Sequence, residues 1–130
     1  MTVIIEKTFW ARIYMAGDYS FAKNICKEYT MEEGLCVNMY PVDYIYTAGE
    51  ESGFCVELIN YPAYPVEKEE VYFKACDLGK KLIEGCFQSS FTIVMPDETV
   101  FVSRRKDIDS ITKSKERLHP ILQKKENNTI

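Results

Sequence analysis

Residues 35–60, LCVNMYPVDYIYTAGEESGFCVELIN, decide the fold. Leu35, Val37 and Met39 alternate with Cys36, Asn38 and Tyr40, the period of a half-buried strand. Pro41 interrupts that run, which implies an edge strand or a bulge, and DYIYT resumes it. AGEESG, with Gly49 and Gly53 around a polar tip, predicts a hairpin loop. Phe54, Val56 and Leu58 then alternate to about Asn60. A central hairpin flanked on both sides by helical periodicity points to an α+β protein.

Upstream, TVIIEKTFWARIYM (2–15) is rich in β-branched and aromatic residues and predicts one long strand, or two bent near Lys7. Asp18 is a candidate N-cap for a helix over 19–30, with Phe21, Ile25 and Tyr29 on one face and Gly34 as a stop. Met31-Glu32-Glu33 suits a loop. Downstream, YPAYP (61–65) is a stiff elbow, because each proline fixes φ. Val71, Ala75, Leu78 and Leu82 form the stripe of a second helix that Gly85 closes. A last hairpin spans 87–95 and 99–104, turning at Pro96-Asp97-Glu98-Thr99. The expected order is β-α-β-β-α-β-β, an antiparallel sheet with two helices packed on it. Residues 1–105 would be the ligand-binding domain. Residues 106–130 would be a basic, partly disordered tail with a weak helix before Pro120.

Charge sharpens this division. The 130 residues carry a net charge of -4. Residues 104–130 hold eight Lys/Arg against four Asp/Glu, so the preceding body stands at -8. An acidic body does not suit a DNA or RNA polymer, whose binding rests on phosphate neutralisation. Five cysteines without a CxxC pair, and a lone His119, speak against a zinc site and for a reducing compartment. The sequence shows neither a signal peptide nor an 18-residue apolar run, so a cytoplasmic location is expected.

No Gly-rich phosphate loop, GxSxG elbow or carboxylate–His–metal cluster is present, and the expectation is a protein that is not an enzyme. Asp97-Glu98 and Glu50-Glu51 read as solvated turn residues. Aromatic residues offer more. Phe9 and Trp10 are adjacent, so one ring faces away from whatever the other packs on. Tyr44 and Tyr46 share a face, and Tyr61 and Tyr64 flank the elbow. Such rings fit a partly solvated sheet face or an oligomer interface, and they equally fit nucleobase stacking. Arg104-Arg105 closes the last strand with two guanidinium forks. The pair suits a phosphate, with Ser89, Ser90, Thr92 and Thr99 as hydroxyl neighbours, and it suits protection of a sheet edge.

KTFWARIYMAGD (7–18), EEGLCVNMYPVDYIYTAGEESGFCVELINYPAYP (32–65) and FTIVMPDETVFV (91–102) resemble the first type of Thoeris anti-defence protein, a family of small phage proteins. The resemblance covers roughly residues 7–102. It implies a sponge that binds, without cleaving, a cyclic ADP-ribose isomer (1''-2' or 1''-3' glyco-cyclic ADP-ribose) made by TIR-domain immune proteins. It implies a homodimer, in some members a homohexamer, with the pocket at the dimer interface. Some members also take up cyclic oligonucleotides of CBASS defence at separate sites. Neither a cofactor nor a metal is expected, nor a membrane partner. The setting would be the cytoplasm of an infected bacterial host. Position in the chain then nominates Phe9, Trp10, Asn60, Tyr61, Phe91, Thr92, Thr99, Arg104 and Arg105 as ligand-binding residues. Relatives often place an arginine in the elbow where this chain has Ala63, so part of the phosphate binding must come from elsewhere. The rival classes are an anti-CRISPR-like inhibitor that docks on a host protein and a hydrolase that destroys the signal.

Overall fold

The computed structural model describes residues 1–105. Its elements are β1 (Trp10–Ala16), α1 (Tyr19–Glu33), β2 (Asn38–Tyr46), β3 (Gly49–Ile59), α2 (Lys68–Gly85), β4 (Ser90–Val94) and β5 (Thr99–Ser103). The strands form one antiparallel sheet in the order β2-β3-β1-β4-β5. The expected α+β class and element order are therefore what the chain adopts. The first six elements interleave two split β-α-β units, the ferredoxin-like arrangement, and β5 extends one edge.

Period-two alternation turns half of each strand toward the helices. Ala11, Ile13 and Met15 of β1, Phe54, Val56 and Leu58 of β3, and Phe91 and Ile93 of β4 are all buried. They meet Ala22, Cys26 and Tyr29 of α1 and Val71, Ala75, Leu78 and Leu82 of α2 in one core. Each fully buried side chain of Leu or Ile size stabilises by about 1.5–3 kcal/mol. Among the described residues, the other face of the sheet carries no helix.

Local chemistry sets the boundaries, and several differ from the sequence expectation. Asp18 does cap α1: its side chain accepts from the Phe21 amide at 2.9 Å. Gly34 ends the helix in the left-handed conformation, at φ 66°. The helix runs through Met31-Glu32-Glu33, which were expected as loop. β1 begins only at Trp10, because its partner β3 ends at Ile59 before the elbow and leaves residues 1–9 without a ladder. β2 runs through Pro41 at the sheet edge, where outward amides have no partner to lose.

The expected AGEESG loop is mostly strand. The register closes at Tyr46 opposite Gly49, so only Thr47 and Ala48 form the turn, with Ala48 at φ 64°. A Cβ at position 49 would lie 2.6 Å from the Tyr46 ring, which is why glycine stands there. β4 starts at Ser90 rather than residue 87, because Cys86 and Gln88 donate their amides to Leu82 and Ile83 and close α2 instead. The expectations for residues 106–130, including the domain boundary and the helix before Pro120, lie outside the described residues.

Candidate functional site

The open face of the sheet is the helix-free side of β1 and its neighbours. Alternation puts Trp10, Arg12 and Tyr14 of β1 there, half-buried beside one another. Register extends the surface sideways. Arg12 stands opposite Glu57 of β3 and Val94 of β4. Tyr14 stands opposite Cys55 of β3 and Thr92 of β4. Tyr40 of β2 lies beyond Cys55, and Phe101 of β5 beyond Thr92.

Arg12 is the hub. Its Nε donates to Glu57 Oε2 at 2.6 Å, and its guanidinium carbon lies 4.0 Å from the centroid of the Trp10 ring. Glu57 accepts a second bond from Asn38 Nδ2 at 3.1 Å. The Tyr61 hydroxyl donates to Asn38 Oδ1 at 3.1 Å and accepts from the exposed Cys36 thiol at 3.4 Å. A polar chain thus runs from the elbow to the sheet centre. The Arg12 hydrogen bond, more than the one from Asn38, holds the Glu57 carboxyl below its ordinary range, against the opposing effect of burial. The same bond raises the Arg12 guanidinium, which stays charged. Burial pushes the Tyr61 hydroxyl up to about 12, so it remains a donor at neutral pH.

Cys55 points to this open face and is still fully buried. In the register Tyr14 and Tyr40 flank it on the same face. Burial raises the thiol above its ordinary value, so it is a packed small hydrophobe and not a nucleophile.

The nine residues nominated from sequence divide among several places. Trp10, Thr92 and Thr99 lie on the open face, with Tyr61 at its border through Asn38. Asn60 is buried and ties two segments together, donating to Lys7 O at 3.0 Å and accepting from the Val66 amide at 3.0 Å. Phe9 packs against the core and its carbonyl accepts from the Asn60 amide at 3.3 Å. Phe91 is buried on the helix side, where a Cβ at Gly79 would collide with its ring. Arg104 also turns to that side and donates from Nη2 to the Ile83 carbonyl at 3.3 Å, near the end of α2. Arg105 is exposed, and its amide donates to Ser103 Oγ at 3.1 Å. The structure therefore brings three of the nine onto one surface and separates Phe91 and Arg104 from it.

Arg12, Tyr14, Glu57 and Phe101 are the members of this surface that sequence reasoning missed. Counting by two from Trp10 through WARIYMA puts Arg12 and Tyr14 beside it. The pairing of Arg12 with Glu57 depends on the β1–β3 register, 45 residues apart in sequence. On the helix side, an open groove of about 400 Å³ lies between α1 and the start of β2, lined by Tyr19, Lys23, Lys27, Thr30, Cys36 and Met39 among others. It contains none of the nine nominated residues.

No helix among the described residues is long and apolar enough to cross a membrane. No family model matches the chain. No curated protein matches it either. Two solved structures do. A phage SAM lyase in complex with S-methyl-5'-thioadenosine is 17% identical, with a TM-score of 0.62 over 79% of this chain and 95% of that one. A phage SAM lyase in the apo state is likewise 17% identical, with a TM-score of 0.58 over 79% of this chain and 98% of that one. At this identity the likeness is one of fold. It still corrects the expectation that the chain is not an enzyme. The same fold carries a lyase, so missing sequence motifs are no ground for excluding catalysis here.

Proposed function

We propose that the chain binds and sequesters a cyclic ADP-ribose-type signal (1''-2' or 1''-3' glyco-cyclic ADP-ribose) made by TIR-domain immune proteins, on the helix-free face of its sheet. The observation that carries this reading is the Trp10–Arg12–Glu57 assembly, with Tyr14 and Phe101 beside it. Such a ligand presents an adenine and a pyrophosphate. Rings stack on the first, and a pre-oriented guanidinium pairs with the second. A lyase of the same fold holds S-methyl-5'-thioadenosine, an adenine nucleoside, which supports an adenine-bearing ligand here. The resemblance of residues 7–18, 32–65 and 91–102 to the Thoeris anti-defence family supplies the finer identity. Under this reading residues 1–105 are the binding domain, and the protein acts as a homodimer or a homohexamer in the cytoplasm of an infected bacterium. Cyclic oligonucleotides are a further ligand class.

The comparison favours a second reading, in which S-adenosylmethionine is the ligand and is turned over. Its sulfonium is a cation, which aromatic faces and Glu57 would suit, whereas a pyrophosphate suits Arg12. One experiment separates the two. The protein is incubated with each compound, freed of unbound ligand, heat-denatured, and the supernatant analysed by mass spectrometry. Intact cyclic ADP-ribose isomer released in stoichiometric amount supports the first reading. Methylthioadenosine formed from S-adenosylmethionine supports the second. Finding neither retained cyclic ADP-ribose isomer nor methylthioadenosine, in the bound or the unbound fraction, would sink both.

A further inference from the structure

We infer that the slot above Thr92, walled by Tyr14 on one side and Phe101 on the other, is the seat of the ligand's adenine ring. The inference rests on reading the open face as a nucleotide site and states where on that face the base lies.

Register builds the slot. Tyr14 of β1, Thr92 of β4 and Phe101 of β5 stand in one cross-strand row. Adjacent strands are about 4.8 Å apart, so the two aromatic side chains rise about 9.5 Å from each other. A planar ring sandwiched between two others needs about 7 Å, one contact distance of about 3.5 Å on each side. The small Thr92 leaves that space free and supplies a hydroxyl at its floor.

The mirror-image gap in the same row is closed. Between Tyr14 and Tyr40 lies Cys55, which is fully buried. Phe101 remains 49% exposed at the edge strand, an apolar face left in water that a stacked base would cover.

The rim suits a purine more than an apolar guest. Ser90 and Ser103 pair on one side of the Thr92–Phe101 row, and Val94 and Thr99 on the other. The Ser90, Ser103 and Thr99 hydroxyls can donate to the ring nitrogens of adenine and accept from its exocyclic amine. Arg12 lies next to Tyr14 on the same face and opposite Val94, so a phosphate attached through a ribose would extend toward it.

The test uses ADP-ribose, S-methyl-5'-thioadenosine and inorganic pyrophosphate as probes, titrated calorimetrically into the full chain and three variants. Thr92→Phe fills the slot, Phe101→Ala removes a wall, and Phe101→Tyr keeps an aromatic wall. Thr92→Phe and Phe101→Ala should each weaken ADP-ribose at least tenfold, and Phe101→Tyr should stay within about threefold of the parent. Pyrophosphate, which has no base, should bind all four proteins alike. Phe101 is half exposed, so its variants keep the fold even if Thr92→Phe does not, and Phe101→Ala then decides alone. Parent-like ADP-ribose affinity in Phe101→Ala overturns the slot and leaves the face as the site. A parent protein that binds neither ADP-ribose nor S-methyl-5'-thioadenosine overturns both.

Discussion

Arg12 is held by two partners at once. Glu57 fixes its Nε at 2.6 Å, and the Trp10 ring lies 4.0 Å beneath its guanidinium carbon. The Arg12 side chain is 36% exposed, so water screens the pair and its contribution to stability is modest. Glu57→Gln is expected to lower stability at pH 7 by about 1 kcal/mol, measured by urea denaturation. The pH dependence has a definite sign. The Glu57 carboxyl is lowered from its ordinary 4.5, so its stabilisation is complete above that value and is lost as pH falls below it. The difference between parent and Glu57→Gln should therefore shrink as pH falls below about 4.5. A difference independent of pH would show that the pair adds nothing. The same substitution frees a guanidinium for phosphate, so pyrophosphate affinity should rise, not fall. Glu57 then favours stability and competes with phosphate for Arg12, so its removal separates stability from binding.

At the level of elements, two positions show local preference and tertiary contact pulling in opposite directions. Gly79 lies inside α2, where alanine would normally stabilise a helix by about 1 kcal/mol. A Cβ there would meet the buried Phe91 ring, which is enclosed by the core and cannot retreat. Gly79→Ala is expected to lower stability by about 1–3 kcal/mol, and a raised melting temperature would mean that the sheet shifts to accommodate it. Ala48 presents the reverse case. It sits in the β2–β3 turn at φ 64°, a left-handed conformation that its Cβ disfavours. Ala48→Gly should raise stability by about 0.5–1 kcal/mol, or about 2–6 °C in a thermal melt.

At the level of the whole molecule, large apolar side chains stay exposed among the described residues. Val3, Ile4 and Ile5 are 80%, 57% and 87% exposed in the segment before β1, and Phe101 and Tyr40 are exposed on the open face. Patches of this kind mark association surfaces. Multi-angle light scattering at micromolar concentration is expected to give at least twice the 15.1 kDa chain mass, and a monomer would remove the proposed dimer. Deleting residues 1–5 should reduce that mass if the apolar segment contributes. The proposed boundary after residue 105 has its own measurement. A chain ending at Lys106 should keep its melting temperature and its ADP-ribose affinity. A large drop in either would make residues 107–130 part of the folded unit.

The chain's own pattern settled the element order. Alternation in LCVNMYPVDYIY and FCVELIN, the stripe Val71-Ala75-Leu78-Leu82, and the caps Asp18 and Gly34 act through neighbours a few residues away, and such signals survive without a partner. The face occupied by Trp10 and Thr92 followed from the same alternation. Only the tertiary structure decided which strands lie side by side, because pairing joins residues as distant as Arg12 and Glu57 or Tyr14 and Thr92. It also decided that strand-forming residues 2–9 stay outside the ladder, that the glycine-flanked hexapeptide is mostly strand, and that Phe91 and Arg104 face away from Trp10. Each of these depends on where a partner strand or helix ends. A single sequence does not carry that information locally, because the free energy of pairing belongs to two segments at once.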